Sequence, residues 1–141
     1  MANIDFAFIV KDNEKAAQTA LDRGDYLQAF ILIHTLLESL MRVFLKLTDE
    51  NLKFHQLIER WEDFLKHQHS GIKSFVKELT EINRRRNRIV HELWGKGYTF
   101  TNRQAKDAAI ASIQMYSLFI EFLQTYSEDL EEQGFRPDEG K

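Results

Sequence analysis

The sequence predicts an all-α protein, an up-and-down antiparallel bundle of about five helices. Apolar residues recur at steps of three and four over long stretches, and the connections between these stretches are short. The single proline, Pro137, lies near the C-terminal end, so it interrupts none of them. A chain of 141 residues removes about two-thirds of its surface from water on folding, which is enough for one core. We assign a helical domain to residues 1–133 and a polar tail to residues 134–141.

The first two helices are predicted over about 5–22 and 26–47. Gly24 is the stop signal between them, and Asp25 is a suitable N-cap for the second. Two apolar rows run along the second helix, which predicts that it is the central one. The rows consist of Tyr26, Phe30, Ile33, Leu37, Leu40, Phe44 and Leu47, and of Leu32, Leu36 and Val43.

The remaining helices are predicted over about 52–67, from 71 to the low 90s, and from 101 to 132. The third directs Leu57, Trp61 and Phe64 inward. Thr101 and Gln104 fit a capping box at the start of the fifth. Its apolar stripe is Ala105, Ala109, Ile113, Tyr116, Ile120, Leu123 and Leu130.

Composition limits the classes of function. The chain has no cysteine, which excludes disulfides and thiolate metal sites and fits a cytoplasmic protein. No signal peptide is visible. The apolar second helix carries His34, Glu38 and Arg42, which favours a soluble core helix over a membrane span. These three side chains are interpreted as an exposed or satisfied polar row, because no second Glu-x-x-His accompanies them as a metal site in a bundle would require.

Positive charge is concentrated in one segment of an acidic protein. The formal net charge is −3, yet residues 84–106 carry seven Lys or Arg and one acid, Glu92. A basic patch of this kind indicates a polyanionic partner, although a solvated helix face is the simpler alternative. The candidate contacts to an RNA backbone are Arg84, Arg85, Arg88 and Lys96.

Arg86 breaks the apolar stripe of the fourth helix. The stripe is Phe75, Leu79, Ile82, Ile89 and Leu93, and its spacing requires one more member at position 86. An arginine in that register needs a countercharge or an interface, because an unpaired buried charge is costly. A polar cluster that only fixes a dimer or a helix end is the alternative to a functional site.

His91 lies five residues after Arg86, about 140° away around an ideal helix. A straight helix therefore cannot direct both side chains at one atom. Three arrangements remain open. The helix changes near Val90, or the two side chains reach a groove from its two sides, or a second subunit completes the site in a symmetric dimer.

The segment Arg86-Asn87-Arg88-Ile89-Val90-His91 resembles the Arg-(four to six residues)-His motif of the HEPN family, a family of helical RNases and nucleotide-binding proteins. The chain shows the common form of the motif, in which Asn follows the Arg. Residues 24–29 and 36–38 are similar to the family's second helix, and the number and order of helices match over most of the chain.

The resemblance implies a homodimer with the motif in a cleft between subunits, and metal-independent RNA cleavage without a cofactor. His91 would act as general base or acid, Arg86 would bind the scissile phosphate, and Asn87 would orient one of them. The other arginines would hold the RNA backbone.

The resemblance also implies a toxin or defence role, with a nucleotidyltransferase antitoxin as partner. Toxins of that kind often have a Tyr two residues after the motif His, but this chain has Leu93 there. The chain therefore lacks the hydroxyl to which nucleotides are added in those toxins. Alternative functions are a non-catalytic module that binds a nucleotide, RNA or a protein, and a dimeric scaffold.

Trp61 and Trp94 are interpreted as core residues, with Trp94 the better candidate for base stacking because it follows the motif.

Overall fold

A computed structural model describes residues 6–47, 51–65, 72–126, 130, 134 and 135. These residues form six α-helices with no strand among them, which confirms the all-α prediction. The helices are α1 (Phe6–Asp22), α2 (Tyr26–Leu45), α3 (Phe54–Leu65), α4 (Ile72–Lys96), α5 (Tyr98–Gln104) and α6 (Lys106–Gln124).

The second helix, α2, is the centre of the bundle, as its two apolar rows predict. It contacts each of the other five helices. Its fully buried residues include Phe30, Leu36 and Leu37. In the part of the chain that the structure describes, α2 alone has the length and apolar composition of a membrane span, and 56% of that stretch is buried inside the bundle. Contacts with its neighbours therefore account for its apolar character.

The turn between α1 and α2 is closed by backbone hydrogen bonds. Gly24 has a φ of 80°, and the N–H groups of Gly24 and Asp25 bond to the carbonyls of Leu21 and Ala20. This is the glycine-terminated helix end that the sequence predicts. Asp25 occupies the N-cap position as predicted, but its side chain forms no capping hydrogen bond.

Asn102 of α5 does the capping in place of Asp25. Its Oδ1 accepts a hydrogen bond from the N–H of Leu27 at 2.9 Å, and its Nδ2 donates one to the carbonyl of Gly24 at 2.9 Å. An unpaired N–H in the first turn of α2 is thus satisfied by a residue 75 positions away. Asp25 instead accepts a long hydrogen bond from the hydroxyl of Tyr98 at 3.5 Å.

The predicted single helix from 101 to 132 is wrong at its start. The chain turns at Gly97, which has a φ of 85°, and forms the short helix α5 before α6 begins at Lys106. Thr101 is buried inside α5 and no side-chain cap forms at the start of α6, so the capping box is absent. The two hydrogen bonds of Asn102 hold α5 against the first turn of α2, where it forms a helix separate from α6. The predicted end is wrong as well, because α6 ends at Gln124 and residues 125–126 form a turn; residues 127–129 and 131–132 lie outside the described residues.

The packed body extends into the predicted tail. Phe135 is fully buried, its N–H bonds to the carbonyl of Leu130, and its carbonyl accepts from Gln124. Gly134 has a φ of 96°, and a Cβ atom there would lie 3.0 Å from the carbonyl oxygen of Ala7. The boundary proposed at residue 134 is therefore too early by at least two residues.

An aromatic cluster joins α3, α4 and α6. The Trp61 ring contacts those of Phe75, Phe119 and Phe122 edge-on, with centroids 5.1–6.3 Å apart. Such pairs stabilise a core beyond their buried area. The third helix directs Leu57 and Trp61 inward as predicted, but the prediction is wrong for Phe64, which is 56% exposed.

Candidate functional site

The helix that carries the candidate motif, α4, runs without interruption from Ile72 to Lys96. At about 1.5 Å per residue its 25 residues extend nearly 40 Å, and it is the longest helix of the described chain. This continuity excludes the first of the three arrangements, a change of the helix near Val90. Arg86 and His91 are therefore held about 140° apart around one axis.

Arg86 lies half-buried in the register of the α4 stripe. Its Nη1 donates a hydrogen bond to Oδ1 of the neighbouring Asn87 at 3.3 Å. Among the described residues it has no carboxylate partner within ion-pair distance. A guanidinium carries five N–H donors, so most of them remain available to an anion.

His34 of α2 forms a hydrogen bond with Asn83 of α4, about one turn before Arg86. Its Nε2 donates to Oδ1 of Asn83 at 3.1 Å, and its ring stacks on Phe54 with centroids 4.1 Å apart. Burial lowers the pKa of His34 below 6.5, the positive charge of Arg86 adds to that lowering, and the Asn83 hydrogen bond and Glu38 oppose it. The guanidinium is therefore close enough to α2 for its charge to act on the buried ring.

The polar row on α2 is satisfied, which is one of the two alternatives that its sequence interpretation left open. Arg42 pairs with Glu38 at 2.9 Å and also donates to the carbonyl of Leu52. Together with the His34–Asn83 hydrogen bond, each of the three side chains in the row has a partner. No group of three His, Asp or Glu side chains able to hold a metal ion occurs within the described ranges.

His91 projects from α4 into solvent. It is exposed, and it forms no hydrogen bond or ring contact with other described residues. The structure therefore brings Arg86 and Asn87 into contact, whereas His91 lies one turn beyond Asn87 and forms no hydrogen bond with either residue. A shared site requires either a ligand that spans the helix surface or a second copy of the chain.

The last turns of α4 have an uncovered apolar face. In the first half of the helix this face is occupied by Leu79 and Ile82, which are buried. Beyond Arg86, Ile89 is still buried, but Leu93 on the same face is 37% exposed, and Val90 and Trp94 on the adjoining side are 40% and 89% exposed. The interpretation of Trp94 as a core residue is therefore wrong, and so is the assignment of Leu93 to a buried stripe.

The basic residues of α4 divide into two groups. Arg84 and Arg85 both approach Glu81, at 2.7 and 3.5 Å, so part of their charge is neutralised locally. Arg88 is exposed and has no ion-pair partner within the described part of the chain. Lys96 lies over the ring of Phe100, with its Nζ 4.8 Å from the centroid. Surface pairs such as Arg84–Glu81 are weak enough for a phosphate to displace.

Sequence reasoning missed Asn83 and the role of His34 toward α4. The available signal was a polar residue four positions after Leu79, at the edge of the apolar stripe, where a half-buried amide requires a partner. The partner, His34, lies 49 residues earlier in the chain, and no local pattern connects the two.

Comparison of the chain with protein-family models, with curated proteins and with solved structures finds no match.

Proposed function

We propose that this protein is a metal-independent endoribonuclease of the HEPN type that acts at a cleft between two copies of the chain. The observation that supports the proposal best is the state of Arg86. It is half-buried on the core face of α4, lacks a carboxylate partner in the described structure, and lies directly beside Asn87. An arginine kept in this state has unused donors for a phosphate oxygen.

Each motif residue has a separate role in cleavage in this proposal. Arg86 binds the scissile phosphate and stabilises the charge that develops in the transition state. His91 removes the proton of the ribose 2′-hydroxyl or protonates the leaving oxygen, and Asn87 holds the Arg86 guanidinium through the hydrogen bond at 3.3 Å. Arg84, Arg85, Arg88 and Lys96 contact the RNA backbone.

The dimer is part of the proposal because a single α4 directs Arg86 and His91 to different sides. A two-fold axis near the end of α4 would present each motif twice, so that Arg86 of one copy can act with the histidine of the other. Val90 and Leu93 supply the uncovered apolar contact for such a partner.

The proposed setting is a soluble, cytoplasmic protein with a toxin or defence role. Leu93, at the position where such toxins carry a modifiable Tyr, makes a nucleotidyltransferase antitoxin the weaker part of this setting.

The decisive experiment is an RNA-cleavage assay with His91→Ala and Arg86→Ala. Each substitution is expected to lower the cleavage rate about 100-fold or more, as loss of a general acid–base or charge-stabilising group does. His55→Ala and Arg60→Ala, at exposed positions of α3, are matched controls and should cut normally. Equal cutting by wild type and both motif variants would refute the proposal.

Oligomeric state is tested separately by size-exclusion chromatography with light scattering. Leu93→Asp should convert a dimer into monomers and abolish cleavage, because it places a charge in the apolar contact. A wild-type protein that is strictly monomeric while it cuts RNA would remove the shared cleft from the proposal.

A non-catalytic module that binds RNA, a nucleotide or a protein is the second candidate. The isolation of His91 favours it, since this imidazole has no hydrogen-bond partner among the described residues and lies about 140° from Arg86. RNA binding that depends on Arg86 but is accompanied by no cutting of diverse RNAs would identify this function.

A further inference from the structure

Trp94 is placed in an unusual position for a tryptophan. It is 89% exposed, whereas Trp61, the only other tryptophan, is fully buried. A tryptophan side chain has one of the largest apolar surfaces of any residue, so folding normally covers it. An uncovered one at the end of a long helix indicates a partner outside the described fold.

Trp94 has no internal role that would explain it. Its ring contacts no other aromatic ring, and its indole N–H has no acceptor, among the residues that the structure describes. Because the side chain is 89% exposed, most of the ring surface is open to solvent. A flat ligand can therefore approach its face.

The direction of Trp94 connects it with the candidate motif. On α4 it lies one turn beyond His91 and about 60° from it, but about 100° from Leu93. The indole therefore lies on the histidine side of the helix end, beside the apolar contact assigned to the dimer. A molecule that reaches His91 along this side would pass over Trp94.

The charges around Trp94 select the chemistry of that molecule. Trp94 lies within the basic segment of residues 84–106, which carries seven Lys or Arg and one acid. This local excess of positive charge favours a polyanionic ligand. A nucleic-acid strand supplies phosphates for the cations and a flat base for the indole.

We propose that Trp94 is a stacking platform for an unpaired base, so that the protein selects single-stranded RNA beside the Arg86–His91 motif. In an RNA duplex the bases are already stacked and the major groove is too narrow for a side chain to enter. The choice of RNA rests on the proposed function, whereas stacking on Trp94 does not require cleavage.

Tryptophan fluorescence and RNA affinity test this inference together. The probe is a short mixed-sequence RNA oligonucleotide, single-stranded or annealed to its complement, added to His91→Ala protein so that no cutting occurs. Because Trp61 is buried, quenching by the bound single strand should come from Trp94, and the duplex should quench little. Trp94→Ala should remove the quenching and raise the Kd for the single strand about 5- to 150-fold.

Three further variants test whether the loss of RNA affinity is specific to removal of an aromatic side chain at position 94. Trp94→Phe keeps an aromatic face and should retain part of the affinity, whereas Trp94→Leu keeps only apolar surface and should behave like Trp94→Ala. Leu118→Ala removes another exposed apolar side chain, 58% exposed and on α6, and should bind as wild type. Light scattering shows whether any variant changes the oligomeric state.

The outcomes separate this inference from the proposed function. Unchanged affinity in Trp94→Ala overturns the inference even if wild type cuts RNA, and so does a changed molar mass with unchanged affinity, which would assign Trp94 to a contact between copies. Quenching and Trp94-dependent affinity without cutting by wild type support the inference and refute the endoribonuclease. Absence of any RNA binding by wild type overturns both.

Discussion

Replacing Asn102 by Ala should destabilise the protein although the residue belongs to a seven-residue helix at the surface of the bundle. The substitution removes two part-buried hydrogen bonds of 2.9 Å each, one from the N–H of Leu27 and one to the carbonyl of Gly24. A hydrogen bond contributes about 1 kcal/mol net, and a buried group left without a partner costs more. We expect the free energy of unfolding to fall by about 2–3 kcal/mol, a large part of the stability of a small domain.

The matched control is Asp25→Ala, which removes the residue that the sequence predicts as the cap. Asp25 makes no capping hydrogen bond, and its contact with Tyr98 is long and exposed, so a change below about 0.5 kcal/mol is expected. Asn102→Asp keeps the acceptor for Leu27 but loses the donor to Gly24. Its loss of unfolding free energy should lie between those of Asn102→Ala and Asp25→Ala.

Urea unfolding followed by circular dichroism measures these changes as shifts of the midpoint at constant slope. A loss in Asp25→Ala equal to that in Asn102→Ala would refute the assignment of the cap. An Asn102→Ala protein within about 0.5 kcal/mol of wild type would refute the energetic argument.

Three other substitutions test the packing and the buried histidine. Gly134→Ala should cost about 2 kcal/mol in the same assay, because its φ of 96° and a backbone oxygen 3.0 Å from the new Cβ both oppose a side chain; stability equal to wild type would contradict the close approach. Tyr116→Phe should cost about 1.5 kcal/mol, because it removes the 2.6 Å hydrogen bond from the Tyr116 hydroxyl to Glu14; the double variant with Glu14→Gln should lose little more, and additive losses would mean that the two groups act independently. The pKa of His34 is lowered in the folded protein, so the unfolded chain takes up the proton first, and stability should decrease as the pH falls below about 6.5. Urea midpoints between pH 7 and 5 should therefore fall more steeply for wild type than for His34→Gln, and parallel curves would exclude this source of acid sensitivity.

The helices were predictable from local patterns because their buried faces are periodic. The steps from Phe30 to Leu37 on α2 determine which side faces the core, and no distant residue is needed to infer it. The stop at Gly24 was predictable for the same reason, since a positive φ at a helix end is a local requirement.

The features that sequence reasoning missed depend on distant contacts. Asp25 is a better local cap than any other nearby residue, but the geometry that brings Asn102 to Leu27 is set by the turn at Gly97 and by the position of α5. A pattern also cannot show where neighbouring helices end. Leu93 continues the apolar spacing of α4, yet it is exposed because the neighbours do not cover it.

The angle between Arg86 and His91 around α4 was predictable, but the residues of other helices that lie near them were not. The five-residue spacing of Arg86 and His91 determines their separation around any straight helix, and α4 is unbroken across both. The sequence could not reveal that the charge of Arg86 lowers the pKa of His34, because the proximity of the two residues comes from the packing of α2 against α4.

The contact of Gly134 with Ala7 and Val10 has a consequence for synthesis on the ribosome. Phe135 belongs to the same core as Val10, so the environment of the first helix is incomplete until residue 135 has left the exit tunnel. During translation α1 and α2 can pair early, but their apolar surface toward this segment stays open to water until residue 135 emerges. Chaperone demand on the nascent chain should therefore persist until the segment around residues 134 and 135 docks.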